Sequence, residues 1–219
     1  MSADPPPLFP NMPSSEQILA NLHTIANQGQ TPAAIWHILA LMALLALVSG
    51  WKPTHRTVAA LLVLPLVSVS VIASVYGNPL NASTFAVLAL LLGILGLRVP
   101  PVAVGHPPRW ALVFGLATVT FGLAYPHFVD SGSVLWYLYA APTGLLPCPT
   151  LSLVIGVALL VDGLGARAWA RVLAVVGLCY GIFGVARLGV VLDVGLIVGA
   201  AALLVRSLKM VSRPTEAMR

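Results

Sequence analysis

The chain has 219 residues, of which 59% are apolar and only 8% charged, with a formal net charge of +5. A soluble globular domain carries about 25% charged residues, so this composition excludes a wet-surfaced domain and leaves most of the surface to lipid. The basic excess is spread beside apolar runs, as topology signals are, and does not form a nucleic-acid-binding patch. At about 20 residues per crossing, the length allows one bundle of six to eight helices. The expected fold is all-α, a polytopic transmembrane helix bundle.

Residues 1–32 do not read as a secretory signal, which would place positive charge before an apolar stretch. The first lysine is Lys52. Asp4-Pro5-Pro6-Pro7 reads as a polyproline-like tail. Ser14-Ser15-Glu16-Gln17 fits a capping box, with Ser14 as cap and Gln17 reaching back. Ile18, Leu19, Leu22 and Ile25 follow at helical spacing. They predict a short amphipathic helix over about 14–28, lying on the membrane surface or packed against the loops of the bundle.

Seven apolar segments follow, near 33–50, 57–76, 82–98, 109–125, 146–163, 168–186 and 189–207. Lipid supplies no hydrogen-bond partner, so each has to be a helix that pairs its own backbone. The transmembrane domain spans 33–208, and a basic tail closes the chain at 209–219. With the N-terminus outside, Lys52, Arg56, Arg98, Arg109, Arg167, Arg171, Arg206, Lys209, Arg213 and Arg219 all fall on the inner side. Arg187 alone of the 11 basic residues falls outside. That bias matches the preference of Lys and Arg for the cytoplasmic side. Trp51, Trp110 and Trp169 fall at inner boundaries. Trp36, Tyr76, Tyr125, Trp136, Tyr137 and Tyr139 fall at outer ones, where ring anchors belong.

Residues 132–152, GSVLWYLYAAPTGLLPCPTLS, break the pattern. Val134 to Ala141 can make two helical turns before Pro142 and Gly144 interrupt them. Pro147 and Pro149 flank Cys148, and each proline removes a donor and restricts the residue before it. The expectation is a short outer helix, a bend, and a full helix starting near Pro149. Thr150 and Ser152 stand where they can bond freed backbone groups. Irregular backbone at membrane depth is tolerated where it is buried or lines a cavity, and transporters use such breaks as binding sites. Pro147, Cys148, Pro149 and Thr150 are therefore the candidate substrate-binding residues, set against a purely structural break.

In the last two spans Gly177 and Gly181, and Gly195 and Gly199, are four apart, a spacing that lets helix backbones approach. They are the candidate packing residues, between the sixth and seventh helices or toward a partner. Ionisable residues at depth are few. His37 reads as a neutral hydrogen-bonded histidine beside Trp36, and Asp162, close to Arg167, and Asp193, close to Arg187, read as local pairs or solvated ends. Ser68, Ser70, Ser74, Thr118 and Thr120 suit hydrogen bonds between helices. Cys148 and Cys179 form no metal or redox motif. No HExxH, GxSxG, Walker or dinucleotide fingerprint is present. The sequence therefore points to no catalytic residue and no metal site, and it specifies no cofactor.

Three stretches together carry a resemblance: SSEQILANLHTIANQGQTPAAIWHI, the Gly77-Asn78-Pro79-Leu80-Asn81-Ala82 turn, and the YP at 125–126 followed by APTGLLPCPT at 141–150. They resemble a family of bacterial multi-pass membrane proteins of unassigned function. The resemblance implies the bacterial inner membrane and no catalytic residue. Leu145-Leu146-Pro147-Cys148-Pro149 is also similar to a segment of nickel/cobalt efflux proteins, whose His-x4-Asp helix and His-rich loop this chain lacks. The leading expectation is a non-enzymatic accessory or structural subunit, with the bilayer and other membrane subunits as partners. The alternative is a small-solute or metal-ion carrier with its site at Pro142–Thr150.

Overall fold

A computed structural model describes residues 14–130 and 133–210. The proline-rich start and the end of the basic tail, with Arg213 and Arg219, lie outside the described residues. So does the Ser131-Gly132 pair. The described residues are helical with no strand, the one extended contact being an isolated bridge between Thr54 and Ala103. The helices are α1 (Ser15–Gln28), α2 (Gln30–Val48), α3 (His55–Val75), α4 (Pro79–Leu97), α5 (Arg109–Leu123), α6 (Tyr137–Ala140), α7 (Pro147–Leu160), α8 (Arg167–Leu188) and α9 (Val194–Lys209).

Among the described residues, five helical stretches are long and apolar enough to cross a membrane: α2, α3, α4, α8, and α9 with the short turn before it. The other two anticipated crossings fall on shorter apolar helices, α5 with 15 residues and α7 with 14. At 1.5 Å per residue, α7 is only about 21 Å long, against about 30 Å of hydrocarbon.

Packing explains why α7 can be short. It is the central helix, with Leu151, Val154, Ile155, Ala158 and Leu159 fully buried among α3, α5, α8 and α9. Its closest partner is α5, and glycines make the approach. A Cβ on Gly156 would lie 2.6 Å from the Val119 nitrogen, and one on Gly122 would lie 2.7 Å from the Leu153 nitrogen. Lipid tails give no hydrophobic drive for helix pairing, so this close van der Waals contact has to hold the centre together.

The loops sort into two ends. At one end, Arg206 makes a two-point ion pair with Asp162, 2.6 and 2.8 Å. Arg167 donates to the Met210 carbonyl, Arg56 donates to the Val99 carbonyl over 3.0 Å, and Lys209 sits 5.4 Å above the Trp110 ring. At the other end, Arg187 donates to Ser15 Oγ over 2.8 Å. The two acidic residues thus have different partners from those expected. Asp162 pairs with Arg206 because the left-handed turn at Asp162–Gly165 aims its carboxylate at α9. Arg187 reaches outward to α1 and leaves Asp193 to other groups.

Helix α1 is capped as its sequence requires, with Gln17 N on Ser14 Oγ at 3.2 Å and Ser14 N on Gln17 Oε1 at 2.9 Å. Its apolar face is covered by the chain itself: Leu22, Ile25 and Ala26 are buried against Val129, Leu145 and Leu146. Polar side chains fasten the rest. Asn21 donates to the Tyr76 carbonyl and Asn27 to the Phe128 carbonyl, while Asn27 Oδ1 accepts from the Asp130 amide. The helix packs on the loops of the bundle.

Two of the expected ring anchors are core residues. Trp169 is fully buried and its indole donates to the Leu92 carbonyl over 3.1 Å. Tyr125 is fully buried as well. Both polar atoms have internal partners, which removes the reason to sit at the headgroups. Of the candidate hydroxyls, Ser68 accepts from Trp36 on α2 and Ser70 donates to Ala82 on α4, both across helices. Ser74 and Thr118 bond back within their own helices.

The glycines of the last two spans divide between neighbours. A Cβ on Gly181 would meet Ile197 of α9 at 2.6 Å, and one on Gly177 would meet Ile155 of α7 at 2.5 Å and Ala200 of α9 at 3.1 Å. Gly195 and Gly199 instead face Phe121 and Thr118 of α5.

Candidate functional site: the broken segment and its cavity

The backbone between α6 and α7 turns back on itself inside the protein. Residues 140–147 are all buried. Leu145 and Leu146 donate their amides to the Pro142 carbonyl at 3.2 and 2.9 Å. Thr143 Oγ1 donates to the Gly122 carbonyl over 2.6 Å. Thr150 Oγ1 donates to the Leu146 carbonyl over 2.6 Å and accepts the Gly144 amide at 2.8 Å. Gly144 has φ +79°, and the Trp36 ring lies where a Cβ would be, so glycine is required there on both counts. The freed backbone groups are therefore met inside the protein.

Helix α7 begins at Pro147, two residues earlier than anticipated. Pro147 takes the first helical position and Pro149 the third. Neither position has an intrahelical acceptor for an amide hydrogen, so the two missing donors leave nothing unpaired.

Beside this helix start lies a cavity of about 340 Å³, bordered by Pro147, Cys148 and Pro149. Thr150 is turned away from it, fully buried in the turn it closes. Three of the four candidate site residues thus share one cavity, and the fourth braces the backbone behind them. The rest of the cavity wall comes from α1, from the α3–α4 turn, from Phe128 in the loop after α5 and from α8. Its polar groups are linked. Asn21 Oδ1 accepts from Asn78 Nδ2 at 3.0 Å, Asn78 Oδ1 accepts the Asn81 amide at 3.1 Å, and the Tyr180 hydroxyl donates to Asn81 Oδ1 over 3.1 Å.

Behind Cys148 stands Asp193, only 2% exposed. The Cys148 thiol donates to its Oδ2 over 3.2 Å and the Tyr125 hydroxyl to its Oδ1 over 2.6 Å. The ring of Tyr125 stacks nearly parallel to Phe128 at 6.4 Å. Gly184 on α8 leaves the space this carboxylate occupies, since a Cβ there would collide with Asp193 Oδ2. His127 lies in the loop beside these residues, its ring 4.1 Å from that of Phe128. Burial holds its pKa below the usual histidine value, against the opposing pull of Asp193.

His37 is also buried, with Nδ1 2.9 Å from the Ala33 carbonyl and Nε2 2.7 Å from the Leu123 carbonyl. Both cysteines are free thiols, Cys179 lying exposed on α8. Among the described residues no three His, Cys, Asp or Glu side chains gather as a metal site would need.

Sequence reasoning located the break but not the Tyr125–Asp193–Cys148 cluster, whose members come from three separate stretches. One signal was readable: Asp193 stands at the start of an apolar helix, and a buried carboxylate has to find donors. Gly184 had no signal of its own. The chain matches no family model, no curated protein and no solved structure.

Proposed function

We propose that this chain is a seven-span protein of the bacterial inner membrane that carries a small solute through the cavity beside its broken helix. The observation that carries the reading is the cavity itself, set where α7 starts at Pro147 and backed by the buried Asp193. Ligand sites in membrane carriers form at such helix breaks, and buried ionisable groups within a membrane mark functional sites. In this reading α5 and α7 complete their crossings with the buried non-helical residues beside them. The N-terminus lies outside and the C-terminus in the cytoplasm, as the placement of the Lys and Arg residues favours.

The test is osmotic. Liposomes containing the purified protein are shrunk in glycerol, erythritol or urea, and their re-swelling is followed by light scattering. Re-swelling several-fold faster than in protein-free liposomes, for at least one solute, is the expected result. Rates equal to the protein-free control across the panel would contradict it.

A second reading, an accessory subunit, is favoured by α2. Only 11% of its apolar window is buried, and an apolar groove of about 210 Å³ separates it from α3 and α7. Native mass spectrometry of the protein extracted gently from its own membranes distinguishes the two. A stoichiometric second protein would favour the subunit, and a lone chain the carrier.

A further inference from the structure

We infer that the cavity beside Cys148 selects uncharged solutes that carry hydroxyl or amide groups, and turns ions of either sign away. This deepens the carrier reading and rests on it. Among the described residues, no Asp, Glu, Lys, Arg or His lines the cavity. Its polar groups are Gln17, Asn21, Asn78, Asn81, Tyr180 and Cys148, all neutral side chains, set in a wall that is otherwise apolar.

The hydrogen-bond arithmetic leaves these groups capacity for a ligand. An amide nitrogen carries two hydrogens and an amide oxygen accepts two bonds. Asn21 Nδ2 gives one hydrogen to the Tyr76 carbonyl and Asn78 Nδ2 gives one to Asn21 Oδ1. Asn21 Oδ1 accepts from Asn78, and Asn81 Oδ1 accepts from Tyr180. Among the described residues, a second hydrogen on each of the two nitrogens and a second lone pair on each of the two oxygens remain. Donors and acceptors stand side by side, which suits a hydroxyl or an amide, since each of those both gives and accepts.

The one carboxylate nearby does not change this. Asp193 is held behind the wall with one oxygen on Tyr125 and the other on Cys148. An ion entering the cavity would lose its water and meet no opposite charge, and an uncompensated buried charge is far costlier than a neutral polar group that finds partners. The volume of about 340 Å³ leaves room for a small molecule.

Cys148 reports directly on what enters. With Cys179→Ser, the full chain in lipid nanodiscs keeps one thiol, at the cavity wall. Three methanethiosulfonates that differ in charge are compared: the neutral ethyl, the cationic trimethylammonioethyl and the anionic sulfonatoethyl reagent. Each rate, read by mass spectrometry, is divided by its rate on the same protein unfolded in detergent, which removes differences in intrinsic reactivity. The neutral reagent is expected to exceed both charged ones by roughly ten-fold or more, given the penalty on a buried charge. Equal normalised rates for all three would overturn the selectivity and leave the site standing. A faster cationic reagent would replace it with a cation site backed by Asp193. Labelling of the folded protein by none of the three, together with re-swelling at the protein-free rate, would overturn the carrier reading as well, and no labelling with re-swelling intact would overturn the placement of the site at Cys148.

Discussion

The Tyr125 hydroxyl and the Cys148 thiol hold the two oxygens of Asp193, at 2.6 and 3.2 Å, and so join the loop after α5 and the start of α7 to the turn that opens α9. The carboxylate is buried, so each donor satisfies an atom that water cannot reach. Tyr125→Phe leaves Oδ1 without its donor at nearly unchanged volume. It should destabilise the purified protein by about 1–3 kcal/mol, the usual loss when a buried polar atom goes unpaired. Thermal unfolding in detergent measures this. Arg187→Ala, which removes the cation expected from the sequence to pair with Asp193, should have a much smaller effect because Arg187 bonds Ser15 instead.

The contact between α5 and α7 is made backbone to backbone at Gly156. Gly156→Leu should abolish the native fold, since its Cβ would lie 2.6 Å from the Val119 nitrogen and three further carbons would have to enter a contact already closed backbone to backbone. Gly156→Ala should cost about 1–3 kcal/mol through overpacking. Gly93→Ala, where a Cβ would meet nothing within 4 Å, should be neutral or slightly stabilising by helix propensity. Size-exclusion profiles and melting temperatures of the three variants separate these outcomes.

The Asp162–Arg206 pair is partly exposed, its side chains at 28% and 17%, and solvent screens it. Asp162→Asn should therefore cost only about 0.5–1 kcal/mol, and asparagine accepts the positive φ of this turn. A double-mutant cycle with Arg206→Gln should return a coupling energy of that size. Raising the salt concentration should shrink it.

His127 supplies a pH dependence. Burial lowers its folded pKa below the unfolded value, so the unfolded chain binds the proton more readily. The His127 contribution is then present above the unfolded pKa, near 6.5, and is lost as pH falls through the folded one. Wild-type protein should lose stability as the pH falls below about 6.5, and His127→Phe should lose less over the same range. Parallel curves for the two proteins would show that His127 is not the group responsible.

The helices and the break were legible in the sequence because both obey local rules. Apolar length set α2, α3, α4 and α8, the capping box set the start of α1, and prolines with glycine set the interruption at 142–149. What the sequence withheld depends on distance across the fold. Trp169 and Tyr125 look like headgroup anchors by position, yet each finds an internal partner, Leu92 and Asp193, far away in the chain. Arg167 is the nearer basic residue to Asp162 in sequence, but the left-handed turn between them presents the carboxylate to Arg206. The cavity combines α1, the α3–α4 turn, α7 and α8, and no local pattern encodes that meeting.

Re-swelling of liposomes shrunk in glycerol, compared between wild-type and Ile18→Trp protein, is the most direct test of a pathway through the cavity. Ile18 lines the cavity from α1, so tryptophan there fills the space without touching Cys148 chemically or altering charge. Liposomes with wild-type protein should re-swell several-fold faster than protein-free liposomes, and those with the variant, at the same helix content, should fall back toward the protein-free rate. Equal acceleration by both proteins would contradict a pathway through this cavity, and no acceleration by either would contradict glycerol carriage itself.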